Sequence, residues 1–423
     1  MKQFVIIGNS AAGIAAAESI RHNDKSSKIT IISDEGYAAY CRCLISYYLA
    51  GEVSEENVVY RPESFYKENN IELLLNKKAL SVDADKNRVT LADKSQIGYD
   101  ALLIATGASP KFPQGIKGLK NKGVFGLRSL KDAKDISGLL PTVSDSACVL
   151  GGGLVGLKAG YALNKRGLKV KVIVKSSQVL SQMLDACAAG LIQSKLEENG
   201  IEIVMGADAA QILGDNQVKG IKLDSGKEIA CSLVIVGKGV SPNIDIGKEA
   251  KLKCAEGILT DNHLQSSVSG IYAAGDVCEN IDVSIGKTAV NALWPVAVEQ
   301  GRIAGANMTG KACLYDGSVG MNSIEFFGLP VISLGVYEIK NDAASLEKLE
   351  MFDEKRGIYK KLILKEGVII GAIMAGDIRN SGLFLSLIRG KVNVAVLKDK
   401  LLLENFSYPH IAGMTKEKEQ MYV

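Results

Sequence analysis

The stretch FVIIGNSAAG, residues 4–13, decides the fold. Its apolar run at residues 4–7 predicts a buried parallel strand, and residues 14–21 beyond the turn predict a helix. Between them, Gly8 permits a tight turn and Gly13 lets the helix pack closely on the strand. A strand, a glycine-rich turn and a helix in this order are typical of a dinucleotide-binding motif.

The turn departs from G-x-G-x-x-G at one position, because Ser10 stands where the middle glycine is usual. A serine still allows close approach, and its hydroxyl can donate to a phosphate. The helix start that Ser10, Ala11 and Ala12 lead into offers unpaired N–H groups and a positive dipole end to a pyrophosphate. Taken alone, the turn could equally be a glycine-rich crossover.

The composition excludes several classes of protein. The chain has 423 residues, 47% hydrophobic and 23% charged, with a net charge of +3. This indicates a packed protein of about two to four domains, and it gives no reason to expect a nucleic-acid partner or a membrane surface. No apolar run reaches the roughly 18–20 residues of a membrane helix, and the N-terminus predicts a strand instead of a signal peptide. We therefore expect a cytoplasmic protein.

Cysteine and histidine usage predicts neither structural disulfides nor a metal site. In a large cytosolic chain, eight scattered cysteines are more often thiols than disulfides. The three histidines lie far apart, and no metal-ligand or iron–sulfur spacing is present.

The next segments supply candidate residues around the first turn. The strand at residues 28–33 is followed by Asp34, at a spacing that suits a ribose hydroxyl, although a solvated acid is the alternative. In the loop and short helix at residues 37–51, Arg42 is available to a phosphate or a flavin edge. Cys41 and Cys43 form a C-x-C, and since helical i and i+2 side chains point apart, we expect the two thiols not to pair. Either is a buried small hydrophobe or a redox thiol at a cofactor.

Two further strands end in small residues. The strand at residues 101–104 runs into Ala105, Thr106 and Gly107, where the chain can pass close to a cofactor. A later strand stops at Gly275 and Asp276, and a carboxylate there is placed to bind a sugar or polyol. The helix predicted at residues 291–310 then begins near Trp294, and its dipole points toward an electron-rich ring.

A second turn contains the complete G-x-G-x-x-G motif. It opens a helix after the strand that ends at Leu150, and its residues are Gly151, Gly153, Leu154, Val155 and Gly156. The following strand ends at Val174 without an acid, and Lys175 and Ser176 come next. An acid at this position selects for a free ribose 2′-hydroxyl. Without the acid and with a cation adjacent, the site tolerates or favours a 2′-phosphate. Lys175 is equally consistent with an ordinary surface lysine.

The last hundred residues change character. Short strands are followed by apolar helices between Leu383 and Leu402, and the polar tail at residues 404–423 is expected on the surface. No catalytic motif occurs there, so we predict an α+β interface domain at residues 316–423, through which a homodimer can form.

Two dinucleotide turns, an ATG strand and a late GD strand, in this order, resemble the flavoproteins that bind two dinucleotides, the pyridine nucleotide-disulfide oxidoreductases. That family includes glutathione reductase, NADH oxidases, coenzyme A-disulfide reductases, rubredoxin reductases and the flavin module of nitrite reductases. The resemblance implies an α/β fold with two Rossmann-like domains. It places FAD in residues 1–110 and 241–315, and the nicotinamide cofactor in residues 111–240.

The resemblance also implies roles for the candidate residues. FAD would be held by Gly8, Ser10, Gly13 and Asp34, lined by Thr106 and Gly107, with Asp276 on the ribityl chain, and NAD(P)H would bind the second turn. The segment AYCRCLISYYLAG, residues 39–51, is most similar to the nitrite and rubredoxin reductases, in which Arg42 has a counterpart. Cys43 stands where NADH oxidases and coenzyme A-disulfide reductases carry their redox cysteine, so we expect Cys43, not Cys41, beside the flavin. The C-x-x-x-x-C of glutathione reductase is absent.

One charge pattern departs from the family. Relatives often pair a glutamate two residues after the last fingerprint glycine with a lysine near flavin N5, whereas here those positions are Lys158 and Tyr47. We predict that Lys158 supplies the missing cation; the alternative is that it extends into solvent.

The resemblance leaves two enzymatic functions open. In the first, NAD(P)H reduces FAD, which passes electrons to a rubredoxin or an iron–sulfur protein. In the second, Cys43 attacks a disulfide, persulfide or peroxide, as in an NADH oxidase or a coenzyme A-disulfide reductase. A flavin-loaded sensor without turnover is a third, non-enzymatic interpretation.

Overall fold

A computed structural model of the chain describes residues 1–142, 146–338 and 346–412. Its first part alternates strands and helices, listed here in chain order: β1 Gln3–Ile7, α1 Ala11–Asn23, β2 Lys28–Ile32, α2 Ile45–Ala50, α3 Glu63–Glu68, β3 Ile71–Leu74, β4 Ala79–Asp83, β5 Arg88–Leu91, β6 Gln96–Gly98, β7 Ala101–Ile104, β8 Ala108–Pro110 and β9 Val124–Phe125. A 3-10 turn at Arg42–Leu44 precedes α2. Helix α1 begins three residues earlier than predicted, directly after the extended Ser10.

The second part repeats this plan. Its elements are α4 Leu130–Leu139, β10 Ser146–Leu150, α5 Leu154–Lys165, β11 Lys169–Val174, α6 Ala186–Glu198, β12 Ile201–Met205, β13 Ala209–Leu213, β14 Gly220–Leu223, β15 Glu228–Ala230 and β16 Leu233–Val236. Helix α4 begins at a capping box, in which the Ser129 side chain accepts from the backbone N–H of Asp132.

The third part returns to the first. It contains β17 Val240–Pro242, α7 Asp245–Glu249, β18 Ile258–Leu259, β19 Ile271–Ala273, β20 Cys278–Asp282, β21 Lys287–Ala289 and α8 Trp294–Thr309. Pro295 lies in the first turn of α8 and Gly310 caps its end. Helix α8 packs tightly on α1, because a Cβ added at Gly301 would lie 2.1 Å from the carbonyl oxygen of Ala12.

Two parallel sheets organise these three parts. The first has the strand order β19-β7-β1-β2-β3, and the second has the order β12-β11-β10-β16-β9. Pairing within both is parallel throughout. Apart from the edge strands β3, β9 and β12, their strands are largely buried, which explains their continuous apolar sequences. The prediction of an α/β fold with two Rossmann-like units is confirmed.

The last part is an antiparallel sheet with helices. It contains β22 Met321–Phe326, β23 Leu329–Gly335, β24 Leu346–Asp353, β25 Ile358–Lys365, β26 Val368–Ala375 and α9 Ser381–Arg389. The strand order is β22-β23-β26-β25-β24. The surface position expected for the tail is wrong at its beginning, because Phe406 is buried and stacks on Phe384 with ring centroids 5.8 Å apart. Residues 413–423 lie outside the described part of the chain.

The predicted domain boundaries agree with this division of strands among sheets and stay a prediction. Strand β19 pairs with β7 although Ile271 and its partner Leu102 are far apart in the sequence. The paired strands β8 and β17 lie at the two crossings between the first and second parts.

Candidate functional site

The carboxyl ends of β1, β7 and β19 meet at one edge of the first sheet. Strand β1 lies between β2 and β7. The chain adds β2 and β3 on one side of β1 and β7 and β19 on the other, so the direction in which strands are added reverses at β1. Crevices at such a reversal are where open α/β sheets bind ligands. The segments that leave this edge are those predicted from the sequence: the turn after β1, residues 105–107, and the Gly275-Asp276 pair.

The first glycine turn has the geometry that the motif requires. Gly8 has a φ of 124°, and a Cβ added there would lie 2.1 Å from the carbonyl oxygen of Ala105. A Cβ at Gly13 would lie 1.9 Å from the carbonyl oxygen of Gly8. The Ser10 side chain makes no capping hydrogen bond to α1, so the first-turn N–H groups of Ala11 and Ala12 have no side-chain cap.

The second turn reproduces this arrangement on the second sheet. Gly151 has a φ of 122°, and a Cβ at Gly156 would lie 2.0 Å from the carbonyl oxygen of Gly151. Gly153 faces open space and lacks a side chain to cap α5, which begins with Leu154 and Val155. Both turns therefore expose uncapped helix N-termini at the carboxyl edge of a parallel sheet.

Asp276 is held by an arginine that sequence reasoning missed. The guanidinium of Arg128 donates to the Asp276 carboxylate at 2.5 Å and to the carbonyl oxygen of Ala108 at 3.1 Å. The Asp276 side chain is 15% exposed and that of Arg128 26%. The two residues are 148 positions apart, and no local pattern marks Arg128.

The ATG segment is fixed from the third part of the chain. The Thr106 hydroxyl donates to the carbonyl oxygen of Asn243 at 2.9 Å, and the Asn243 amide donates to the carbonyl oxygen of Thr106 at 2.8 Å. Gly107, with a φ of 66°, accepts from the Asn243 backbone N–H. The polar groups of this segment are thus hydrogen-bonded within the protein. The segment can therefore contribute to a ligand site only by letting its backbone pass close to the ligand.

Arg42 is engaged within the protein. Its guanidinium pairs with the Glu35 carboxylate and donates to the Arg128 carbonyl oxygen at 3.0 Å. The neighbouring Asp34 side chain is exposed, whereas Glu35 also accepts from the Tyr40 hydroxyl at 2.6 Å. Arg42 therefore links the C-x-C turn to the Arg128 segment, and contacts of Arg42 and Asp34 with a cofactor stay predictions.

Cys41 and Cys43 are both free cysteines, in agreement with the expectation that the two thiols do not pair. The Cys43 thiol and the backbone N–H groups of Cys43 and Leu44 nevertheless stabilise the Cys41 thiolate. Cys41 has an extended backbone, with φ −80° and ψ 105°, and only Arg42–Leu44 form the 3-10 turn. The helical i, i+2 rule therefore does not apply to this pair.

Each thiol changes the acidity of the other. The Cys43 thiol, helped by the backbone N–H groups, lowers the pKa of Cys41 to about 6. The Cys41 thiol, with burial, raises the pKa of Cys43. Arg128 and Asp276 act on Cys43 electrostatically, and Cys41 acts on Tyr60, which packs edge-on against Trp294 at a centroid distance of 5.2 Å. The C-x-C turn thus lies in the same region as Asp276 and Trp294.

Lys158 and Tyr47, which stand where relatives often carry a glutamate and a lysine, are in contact. The Lys158 ammonium donates to the Tyr47 hydroxyl at 2.9 Å and to the Glu325 carbonyl oxygen at 2.8 Å. It also lies 4.8 Å from the Phe326 ring centroid. Lys158 is therefore held between α2, α5 and the C-terminal sheet; its role toward a flavin stays a prediction.

The expected 2′-phosphate site contains an acid that the sequence did not suggest. Lys175 follows β11, its side chain is 80% exposed, and its ammonium lies 3.9 Å from the Asp208 carboxylate. Asp208 also pairs with Lys238. The Ser176 hydroxyl donates to the carbonyl oxygen of Gln178 at 2.7 Å. The Lys175 side chain is largely exposed, but the Asp208 carboxylate is close enough to compete with a 2′-phosphate for its ammonium group.

These features fit two dinucleotides. Each glycine turn has no room for a Cβ and leads into a helix whose first N–H groups have no side-chain cap. The two turns therefore suit two pyrophosphates. A mostly buried carboxylate at Asp276 suits a polyol hydroxyl.

We found no set of three or more His, Cys, Asp and Glu side chains able to hold a metal ion in residues 1–142, 146–338 and 346–412. Within those same ranges, every helix is too short or too polar to cross a bilayer.

Comparison with known proteins agrees with this geometry. The profile of the pyridine nucleotide-disulphide oxidoreductase family matches residues 2–301, and that of the rubredoxin NAD+ reductase C-terminal domain matches residues 321–392.

Similar proteins cover nearly the whole chain. A Bacillus subtilis nitrite reductase [NAD(P)H] is 32% identical over 96% of this chain and 49% of its own length. A Pseudomonas putida rubredoxin-NAD(+) reductase is 30% identical over 88% of this chain and 99% of its own length. The solved NAD-dependent persulfide reductase of A. fulgidus has a TM-score of 0.88 and 28% identity, over 99% of this chain and 84% of that one. The chain spans about half the length of the first curated relatives that it matches.

Proposed function

Because this chain belongs to the pyridine nucleotide-disulphide oxidoreductase family, we propose that it passes electrons from NAD(P)H through FAD to a small redox protein, a rubredoxin or an iron–sulfur protein. FAD and NAD(P)H are the cofactors predicted from the two glycine turns, and family membership confirms them.

One observation carries the proposal. Two parallel sheets present the same turn, with Gly8 and Gly13 on one and Gly151 and Gly156 on the other. Each turn brings a helix N-terminus to a crevice, so the chain can hold two dinucleotides at once. An enzyme with one bound dinucleotide and one exchanging dinucleotide can move electrons between them.

The chain's own residues position the reaction. When bound, FAD accepts a hydride from NAD(P)H and gives up electrons to an acceptor. The Ala11 and Ala12 N–H groups would bind the FAD pyrophosphate, and Asp276, oriented by Arg128, would bind its ribityl chain. The N–H groups that begin α5 would bind the pyrophosphate of NAD(P)H. No side-chain acid or base is required in the hydride step; the protein supplies position and electrostatics.

The C-terminal part supports a protein acceptor. The profile that matches residues 321–392 is that of rubredoxin NAD+ reductases, and a relative of that name aligns over 99% of its own length. Within residues 346–412, the exposed apolar side chains include Phe352, Val396 and Leu403.

A comparison of acceptors tests the proposal. Purified FAD-loaded protein is supplied with NADH or NADPH under argon, and reduction of rubredoxin is compared with reduction of a small disulfide. The Cys43→Ser variant is the matched control, since transfer to a protein acceptor does not need a thiol. We expect rubredoxin reduction to survive in Cys43→Ser; its loss in a folded, FAD-loaded variant would contradict the proposal.

A second candidate function uses the thiol of Cys43. This side chain is exposed and lies within electrostatic reach of Arg128 and Asp276. A relative in the solved structures is a persulfide reductase. The same comparison of acceptors separates the two functions. Reduction of the small disulfide by the Cys43 thiol would be abolished in Cys43→Ser, whereas reduction of rubredoxin would not.

Two further properties stay predictions. A cytoplasmic location is the expectation stated above from the sequence, and cell fractionation measures it. A homodimer through residues 316–423 is expected from the absence of a catalytic motif there, and the molar mass in solution measures it.

A further inference from the structure

Helix α6 begins at a carboxylate that is paired with a buried lysine of the C-terminal sheet. Asp185 caps α6, because its side chain accepts from the backbone N–H of Ala188 at 3.0 Å. The Lys361 ammonium, on β25, donates to the same carboxylate at 2.9 Å and to the carbonyl oxygen of Tyr337 at 3.2 Å. The exposed fraction of the side chain is 7% for Lys361 and 13% for Asp185. Solvent and salt therefore screen this ion pair much less than a surface pair.

A tyrosine on the same strand adds a second contact to the helix cap. The Tyr359 hydroxyl lies 2.7 Å from the Asp185 carboxylate and 3.1 Å from the Glu350 carboxylate. Burial and Asp185 raise the pKa of Tyr359, so the hydroxyl keeps its proton and can donate it to a carboxylate. Tyr359 and Lys361 are two residues apart on β25 and therefore lie on the same face of the sheet. The C-terminal sheet thus contacts the start of α6 with a cation and a hydroxyl.

The loop that ends at Asp185 lies against the second glycine turn. This β11–α6 loop comprises residues 175–184 and begins with Lys175. In its middle, the Leu180 backbone N–H donates to the carbonyl oxygen of Gly152 at 2.8 Å. Leu180 is buried and has a φ of 52°, a left-handed conformation that is unfavourable for leucine. Such a conformation persists only where the surrounding structure holds it in place.

The β11–α6 loop is held at both of its ends and in its middle. It begins at the end of β11 in the second sheet, its middle is bonded to Gly152 of the G-x-G-x-x-G turn, and it ends at the cap that pairs with Lys361. The Gln178 side-chain amide adds a bond within the loop, to the carbonyl oxygen of Leu184 at 2.9 Å. Lys361 is therefore a point at which the C-terminal sheet acts on a loop that lines the expected nucleotide site.

We propose that Lys361 is a positioning residue for the nicotinamide nucleotide. Through Asp185, it holds the β11–α6 loop against the second glycine turn, in the conformation that binds the adenosine end of NAD(P)H. The inference rests on the proposed function for the identity of this ligand. It gives the C-terminal sheet a role in nucleotide affinity, in addition to the interface role expected from the sequence.

The neighbouring residue on β25 supplies a matched control. Lys360 is also buried, and its ammonium donates to the Asp377 carboxylate at 2.9 Å, with exposed side-chain fractions of 5% and 10%. Asp377 follows β26, so this ion pair lies within the C-terminal part of the chain. Lys360→Met and Lys361→Met each remove one buried ammonium from an ion pair, but only Lys361→Met releases the start of α6. A merely structural role of Lys361 predicts the same nucleotide affinity in both variants.

The first measurement follows the β11–α6 loop without turnover. Hydrogen exchange of the FAD-loaded protein, without nucleotide, is read by mass spectrometry on peptides that span residues 175–189. We expect Lys361→Met to speed exchange in these peptides, because the Leu180 N–H loses protection when the helix cap is loosened. Lys360→Met should leave them as in the wild type. Unchanged exchange in Lys361→Met, or equally faster exchange in both variants, would overturn the proposal.

The second measurement separates nucleotide affinity from hydride transfer. Flavin reduction is followed by rapid mixing over a range of NADH and NADPH concentrations. In Lys361→Met we expect the half-saturating concentration to rise roughly threefold to thirtyfold. The limiting rate should stay within about twofold of the wild type, because the loop does not touch the reacting atoms. Lys360→Met should match the wild type in both values, and a lower limiting rate at an unchanged half-saturating concentration in Lys361→Met would contradict the positioning role.

A second variant keeps the proposal testable if Lys361→Met does not fold. Asp185→Asn preserves the start of α6, since asparagine caps a helix as well as aspartate does, but it removes the charge that Lys361 pairs with. It should raise the half-saturating concentration as Lys361→Met does. The double variant should be no worse than the poorer single variant, because both changes break one contact. Effects that add in the double variant would show that the two residues act independently.

Failure of this inference is distinguishable from failure of the proposed function. A wild-type flavin that neither NADH nor NADPH reduces would contradict the proposed function, whatever the variants do. A wild type and a Lys361→Met variant that are reduced with the same half-saturating concentration of nucleotide would contradict only the positioning role of Lys361.

Discussion

The Lys158 ammonium donates a 2.9 Å hydrogen bond to the Tyr47 hydroxyl, and this contact joins α5 to α2. The ammonium also lies 4.6 Å from the centroid of the Tyr47 ring. A lysine and a phenol thus stand where related enzymes pair a glutamate with a lysine. The exchange leaves one positive charge, which Lys158 on α5 supplies, without an unpaired carboxylate.

The first prediction concerns that charge. Lys158→Glu should slow flavin reduction by NAD(P)H and make the flavin potential more negative, since a nearby cation favours the reduced flavin. The measurements are the reduction rate in a rapid-mixing experiment and an equilibrium potential. Lys165→Glu, about two turns further along α5, is the matched control and should change neither the rate nor the potential. An unchanged rate and potential in Lys158→Glu would show that Lys158 only supports the packing of α2 on α5.

The second prediction concerns Asp276. Asp276→Asn removes the charge that Arg128 holds, and it weakens the proposed acceptor for a ribityl hydroxyl. Hydrogen bonds to charged groups contribute about 1.5–3 kcal/mol, so FAD affinity should fall by roughly ten- to a hundredfold. Fluorescence of released FAD during dialysis measures it. Asp135→Asn, on the exposed face of α4, should retain FAD fully; equal retention by both variants would remove Asp276 from the site.

The third prediction assigns one dinucleotide to each turn. Gly13→Ala places a Cβ 1.9 Å from a carbonyl oxygen in the first turn, and Gly156→Ala does so at 2.0 Å in the second. Gly13→Ala should lose FAD and be colourless. Gly156→Ala should stay yellow and be reduced by dithionite but not by NAD(P)H.

The control for this pair is Gly190→Ala, because Gly190 lies in α6 with no atom near its Cβ position. It should keep both cofactors and gain up to about 1 kcal/mol in free energy of unfolding. Loss of FAD from Gly156→Ala alone would reverse the assignment of the two turns.

The fourth prediction concerns the choice between NADH and NADPH. Lys175→Glu should lower kcat/KM for NADPH far more than for NADH, because it replaces a cation by an anion where the 2′-phosphate is expected. Asp208→Asn should act in the opposite direction, since it frees Lys175 from a carboxylate 3.9 Å away. Lys195→Glu on α6 is the control. Equal effects of Lys175→Glu on both nucleotides would show that Lys175 does not contact the 2′-phosphate.

The fifth prediction is a pH dependence. The pKa of Cys41 is lowered to about 6, first by the Cys43 thiol and then by backbone N–H groups. Only the thiolate is alkylated, so the rate at Cys41 should be high above pH 6 and fall as the pH drops through that value. Tyr60 is neutral in this range and adds no charge, because burial raises its pKa.

The matched variant is Cys43→Ala, which removes the thiol donor. Its alkylation midpoint should move up toward the ordinary cysteine value of about 8.5. Mass spectrometry of the Cys41 peptide at several pH values gives both midpoints, and identical midpoints would show that Cys43 does not stabilise the thiolate.

The parts of the site that sequence predicted are local. The turns at Gly8 and Gly151 are complete within about ten residues, and each contains its own steric reason for glycine. The residues that were missed act over long distances, as Arg128 does on Asp276 and Asp208 on Lys175. No periodicity or spacing marks such partners, because the fold alone brings them together.

The backbone of the C-x-C turn could not be predicted from the sequence, for a different reason. The rule that helical side chains two apart diverge is sound, but the helix begins only after Cys41. Whether a cysteine lies just before or just inside a 3-10 turn depends on its anchoring by Val58, which is a tertiary contact. Local sequence could not decide the direction in which the thiol points.

We propose that electrons pass from NAD(P)H through bound FAD to a small redox protein. The most direct test follows the visible absorbance of the flavin under argon, first on mixing with NADH and then on mixing with oxidised rubredoxin. We expect NADH to bleach the flavin and rubredoxin to restore its absorbance, in the wild type and in Cys41→Ser/Cys43→Ser alike. A flavin that NADH and NADPH fail to bleach, or one that stays reduced with both rubredoxin and an iron–sulfur protein, would contradict it.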